Sequence, residues 1–287
     1  MASLPQCNPP LRHPGPEQYP RVKAITTVPQ RFTIALRAGD RLETAVIEGF
    51  SKAGFESGFA ELGGLTFTQI DYVIPAHSDT PDRLAWYSAP HSTRGPATIK
   101  HGYMSVGRYQ GAGFTHCHAL WEDAGGTVGI GHLLSDQTLI ARDTTLEVTG
   151  FASARFERLP DAETRFEIFA AIGESRPETS PTTAQAIIAT LRPNTDITTA
   201  CTELCLQHGI ARARVVGLGS LNGADFTNGA RMRDFASEFV LCNGAVTGGE
   251  ALIDIAVVDS HANQFLGQLI RSKACVSVTA ELVIIPI

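Results

Sequence analysis

The chain has 287 residues, 43% of them apolar and 18% charged, with a formal net charge of -6. No apolar run approaches the roughly 20 residues of a membrane-spanning helix, and an acidic chain has no long-range pull on polyanions, so neither membrane spans nor nucleic acid is the default. The length suits two domains, each large enough for a core of its own.

Residues 1–27 are proline-rich, with neither the basic start nor the apolar core of a secretory signal, so they read as an N-terminal tail of a cytoplasmic protein. Six cysteines sit at no zinc-ribbon or redox spacing and read as buried thiols in a reducing compartment. A first domain is expected over 28–173. In it, LRAGDRLETAVIEGFSKAGF (Leu36–Phe55) closes a strand at Leu36-Arg37, turns, and predicts an amphipathic helix of about three turns stopped by Gly54. FAELGGL (Phe59–Leu65) follows with a glycine pair. The long insertion 72–102 reads either as a functional loop or as a solvated loop with no role. Its Tyr87, Arg94 and Lys100 are candidates to bind a small anionic molecule.

The stretch THCHALWEDAGGTVGIGHLL (Thr115–Leu134) holds three of the nine histidines. Side chains alternate along a strand, so His116 and His118 share a face while Cys117 and Ala119 take the other. A hairpin turning at Gly125 sets His118 across from His132, with β-carbons about 5 Å apart. Three imidazoles there would repel when protonated and would turn lone pairs on one another when neutral. A divalent cation relieves both. Three histidines match the catalytic kind of zinc site, in which one position is left to water or substrate, and zinc is the expected metal, although imidazole also suits iron, nickel and copper. Glu122, at the strand end, and Glu61, beside the glycine pair, are candidate acid–base groups.

The polar, proline-bearing segment 174–185 reads as a linker, after which the sequence repeats itself. LRPNTDITTACTELCLQHGI (Leu191–Ile210) aligns without a gap on Leu36–Phe55, and GQLIRSKACVSVTAELVIIPI (Gly267–Ile287) aligns on Gly131–Phe151. In this second unit, 186–287, Leu252, Asp254 and Gln268 stand where the first has His116, His118 and His132. Such a set would not hold a soft divalent metal, so the second unit is expected to be structural, completing an assembly or walling the first unit's site.

FTIALRAGDRLETAVIEGFSKAGF, the glycine turn, HCHALWEDAGGTVGIGHLL and TTLEV together resemble the PPC (plants and prokaryotes conserved) domain over most of Phe32–Glu157, and more weakly over Ala186–Ile287. The resemblance implies an α+β fold, here two tandem domains each made of an antiparallel sheet with a packed helix. It implies assembly into homotrimers and, as in bacterial members, a metal on His116, His118 and His132. The family is also labelled DNA-binding through its plant AT-hook members, but Ser92-Thr93-Arg94-Gly95-Pro96 lacks that motif's second arginine and basic neighbours. The leading expectation is a metal-dependent hydrolase or lyase acting on a small anionic molecule such as a carboxylate. A DNA-associated protein and a non-catalytic metal or ligand sensor are the alternatives.

Overall fold

The computed structural model describes residues 8–173 and 185–287, so most of the expected linker, and residues 1–7, lie outside the described residues. Strands β1 (Val22–Thr27) and β2 (Pro29–Leu36) part at Val28, β1 joining the sheet of the second half and β2 that of the first. Helix α1 (Leu42–Lys52) follows, then β3 (Gly58–Glu61), β4 (Thr66–Gln69), β5 (Asp71–Val73), β6 (Pro75–His77), β7 (Ala85–Tyr87) and β8 (His91–Ser92). The long strands β9 (Ala97–Tyr109) and β10 (Ala112–Asp123) lead to β11 (Val128–Leu133), β12 (Leu139–Ile140), β13 (Thr144–Phe151), β14 (Ala154–Pro160) and β15 (Glu167–Gly173). The second half holds β16 (Ala186–Leu191), α2 (Ile197–Gln207), β17 (Arg212–Leu221), β18 (Ala224–Asp225) and β19 (Arg231–Met232), then β20 (Ser237–Thr247), β21 (Glu250–Asp259), β22 (Gln264–Gln268) and β23 (Val276–Pro286).

The two main sheets share a strand order. One runs β2-β13-β3-β9-β10-β11 before continuing into β5 and β8, and the other runs β16-β23-β17-β20-β21-β22, with β1 added on the β16 edge. Counting only these six strands of each sheet in chain order, both read first, last, second, third, fourth, fifth. The hairpins agree too: His118 pairs with His132 across β10 and β11, and Asp254 pairs with Gln268 across β21 and β22.

The expected α+β class needs correction. The chain is mostly β, 56% strand against 8% helix, with two helices of eleven residues each among the described residues. The sequence reading gave the helices too much weight, because their periodicity is conspicuous while strands buried on both faces show none. The strand VSVTAELVIIP, for example, is buried at its first nine positions. The insertion 72–102 also contributes β5 to β8 and the start of β9, with β6 and β7 forming a hairpin. Residues 154–173 fold into the β14–β15 hairpin.

Three cores stack in layers. Helix α1 buries Leu42, Val46 and Phe50, spaced four apart, against Met104, Cys117, Ala119 and Trp121 on the outer face of the first sheet. Helix α2, capped by the Asp196 side chain accepting from Thr199 N, covers the outer face of the second sheet in the same way. Between the two inner faces lies a third core, with Phe59, Leu120 and Ile130 from the first sheet meeting Ile188, Val216, Val240 and Val283 from the second. Cys117, Cys201 and Cys205 are buried thiols. Among the described residues no helix is long and apolar enough to cross a membrane.

Candidate metal centre

Strand parity decides what meets the histidines. Cys117, Ala119 and Trp121 face the α1 side, so His116 and His118 point the other way, into the space between the sheets, and His132, two residues from Ile130, joins them there. The same alternation applies opposite. Val240 and Val283 belong to the inter-sheet core, so Glu238 and Glu281, each two residues earlier, face it as well. The two halves thus enclose one polar cluster.

The ring centroids of His116, His118 and His132 lie 4.8, 4.9 and 5.2 Å apart, and one nitrogen from each falls within 4.8 Å of the other two. His118 is 2% exposed, and its Nδ1–H donates to the Phe239 carbonyl at 2.9 Å. A carbonyl only accepts, which fixes the tautomer and leaves a lone pair on Nε2. That Nε2 is buried without a partner, as is Nδ1 of His132. His116 Nδ1 shares a 2.6 Å hydrogen bond with Glu281 Oε1, leaving its other nitrogen for a ligand.

Burial holds all three imidazoles neutral, with pKa values pushed down to about 3. The same desolvation pushes Glu238 up to about 7 and Glu281 up to about 8. Neither carboxylate forms an ion pair with a lysine or arginine among the described residues, and Oε2 of each is buried without a hydrogen-bond partner. Unpaired lone pairs and buried carboxylates are both costly, and one cation would satisfy both. Glu238 Oε1 lies 3.7 Å from His118 Nε2 and 3.6 Å from His132 Nδ1. Donors bonded tetrahedrally to one ion at about 2.1 Å stand about 3.4 Å apart, so this carboxylate is spaced to join the donor set. The residues therefore fit a divalent metal. Glu281 and the Phe239 carbonyl fit the outer partners that orient ligating imidazoles.

The cluster lines a cavity of about 170 Å³ between the halves. Tyr87 meets His132 edge-on at 5.2 Å, and Phe169 stands 5.9 Å from His116. Trp86, Phe114 and Phe166 extend these two aromatic walls. Arg158 also lines the cavity, paired with Glu167 at 2.9 Å and packed on Phe114.

Of the other residues singled out in the sequence, Tyr87 reaches the cavity and four do not line it. Glu61 is paired with Arg214, Glu122 with Lys100 at 2.8 Å, and Arg94 lies in a separate surface recess with Asp123 and Gln264. Sequence reasoning missed Glu238, Glu281 and Arg158. A signal was present for Glu281, a lone carboxylate inside the apolar run VSVTAELVII, where a charge is costly unless it has a use.

No protein-family model and no curated protein matches the sequence. Solved structures do match about half of it. One is a metal-containing protein from Archaeoglobus fulgidus, 18% identical, covering 50% of this chain and 96% of its own, with a TM-score of 0.40. Another is a plant- and prokaryote-conserved (PPC) protein from Pyrococcus horikoshii, 14% identical, covering 50% and 94%, with a TM-score of 0.38. A third, from Ralstonia eutropha JMP134, is named as a candidate DNA-binding protein; it is 17% identical and covers 47% and 88%, with a TM-score of 0.38.

Proposed function

We propose that this chain is a tandem PPC-type protein whose two halves enclose one metal-dependent catalytic site for a small carboxylate or carbonyl compound. The observation that carries this reading is the convergence of three neutral imidazoles, two with unpartnered nitrogens, at the wall of an aromatic cavity. His116, His118 and His132 would hold the ion, with Glu238 in the donor set. Zinc is the first candidate. Such an ion, when bound, supplies Lewis acidity toward an oxygen of the ligand. The chain's own groups do the rest. Glu281 and the Phe239 carbonyl orient the rings of His116 and His118, and the aromatic walls give the ligand an apolar seat beside the ion.

Metal analysis of the purified protein, followed by a turnover screen of small acids, esters and carbonyl compounds before and after chelation, tests the reading. Metal-dependent turnover supports it. Tight binding of such a compound without turnover would make the site a sensor's, and absence of metal from a protein purified without chelator and reloaded with zinc would overturn it. DNA binding is disfavoured by the net charge of -6, so duplex affinity should be weaker than roughly 10 μM at physiological salt. We also propose a homotrimer. Leu252, Leu266 and Ile270 are exposed on and beside the β21–β22 edge, which offers an apolar contact. A monomer by light scattering would refute it.

A further inference from the structure

We infer that the cavity takes a single flat ring bearing one carboxylate and a second polar substituent, a hydroxybenzoate-like monoacid, with its carboxylate toward the imidazole cluster. This rests on the metal reading above and names its ligand class.

Size sets the first limit. A cavity of about 170 Å³ compares with the roughly 150 Å³ engineered cavity that accepts one benzene, so it seats one ring, and further substituents extend toward its open mouth. Shape sets the second. Rings flank two of the imidazoles, Tyr87 against His132 and Phe169 against His116, and flat aromatic ligands are what ring faces and edges pack against best. Charge sets the third. Glu167, Glu238 and Glu281 oppose Arg158 among the lining residues, so three carboxylates are balanced by one guanidinium and a divalent ion. Every further negative charge is then uncompensated, which penalises a polyanion more heavily than a monoacid.

The second substituent follows from two orphaned hydroxyls. Ser277 Oγ and Thr279 Oγ1 are buried without partners, and both residues line the cavity. Buried hydroxyls normally find a hydrogen-bond partner, so a ligand that reaches this wall gains by supplying one. Neighbouring Ser220 and Ser237 are already engaged, Ser220 Oγ accepting from Val278 N and Ser237 Oγ accepting from Leu221 N.

The test is calorimetric titration of zinc-loaded, full-length protein with acetate, benzoate, cyclohexanecarboxylate, phthalate and the three hydroxybenzoates, with bound metal quantified in each sample. Benzoate should bind at least about thirtyfold tighter than acetate through ring burial, and one hydroxybenzoate about fivefold tighter again through one hydrogen bond. Cyclohexanecarboxylate and phthalate should be weaker than benzoate. Ser277→Ala with Thr279→Val should erase the hydroxyl preference and leave benzoate affinity unchanged. Phe166→Ala should weaken benzoate and not acetate, at unchanged metal content. Benzoate binding no tighter than acetate, on protein with its metal in place, overturns the ligand class and leaves the metal site standing. Protein that takes up no metal overturns the reading beneath it, and benzoate binding equally well without metal overturns the placement of the carboxylate.

Discussion

His116 and Glu281 are 165 residues apart in the chain, yet Nδ1 of one and Oε1 of the other meet at 2.6 Å between two sheets. The carboxylate holds the ring through Nδ1 and leaves Nε2 available to a ligand. Replacing it by an amide of the same shape, Glu281→Gln, should weaken zinc binding about 10- to 100-fold, the usual cost of losing an outer partner of a ligating histidine. Chelator competition measures this, and unchanged circular dichroism would show that the fold survives. Equal affinity in the variant would remove Glu281 from the site.

The two halves give an internal control. His118→Ala should lose most of the metal, while Asp254→Ala and Gln268→Ala, at the corresponding register positions of the second hairpin, should keep it. Elemental analysis should find about one ion per chain, as expected for one set of three ligating histidines. Full retention by His118→Ala would remove His118 from the ligand set, and two ions per chain would show that the repeat is misread and that a second site exists.

The metal-free protein should have a stability maximum near about pH 6, because two sets of shifted groups pull in opposite directions. The imidazoles, pushed down to about 3, take up protons on unfolding, so stability is lost as pH falls from their ordinary value of 6.5 toward 3. Glu238 and Glu281, pushed up to about 7 and about 8, release protons on unfolding, so stability is lost as pH rises from 4.5 through those values. Zinc should flatten the alkaline limb, since its charge stabilises both carboxylates. Thermal melts at pH 5 to 9, with and without zinc, measure this; a metal-free protein more stable at pH 8.5 than at pH 6 would contradict it.

Gly131 precedes the third histidine, and a β-carbon there would lie 2.7 Å from the Val73 carbonyl of the neighbouring strand. Gly131→Ala should therefore displace β11, cost about 1–3 kcal/mol of stability and weaken metal binding together. Denaturant unfolding combined with metal titration checks both. Loss of neither would mean that the β11–β5 pairing yields without disturbing His132.

Some of this was legible in the sequence and some was not. The register that opposes His118 to His132 follows from strand alternation and a glycine-bearing turn, both local and short-range. The matching order of strands in the two halves has a trace in the alignment of Leu36–Phe55 with Leu191–Ile210. The partners of the histidines were not legible, because Phe239 and Glu281 reach them through sheet-on-sheet packing, and no spacing in the chain encodes which inner faces will meet. Glu122 and Lys100, candidates by residue type alone, pair with each other outside the cavity that holds the histidines. The predominance of β structure was missed for a related reason: doubly buried strands carry no alternation to read.

The parting of β1 from β2 at Val28 sets a timetable for the growing polypeptide. Val22–Thr27 pairs with Ala186–Leu191, so a segment made near the beginning waits for one made about 160 residues later. At the usual 5–20 residues per second that interval is roughly ten to thirty seconds, during which the first half can close its own sheet while its leading strand stays unmatched. Val22–Thr27 can dock only after Ala186–Leu191 has been made, and the pocket between the halves acquires its second wall only once β17, β20 and β23 have formed.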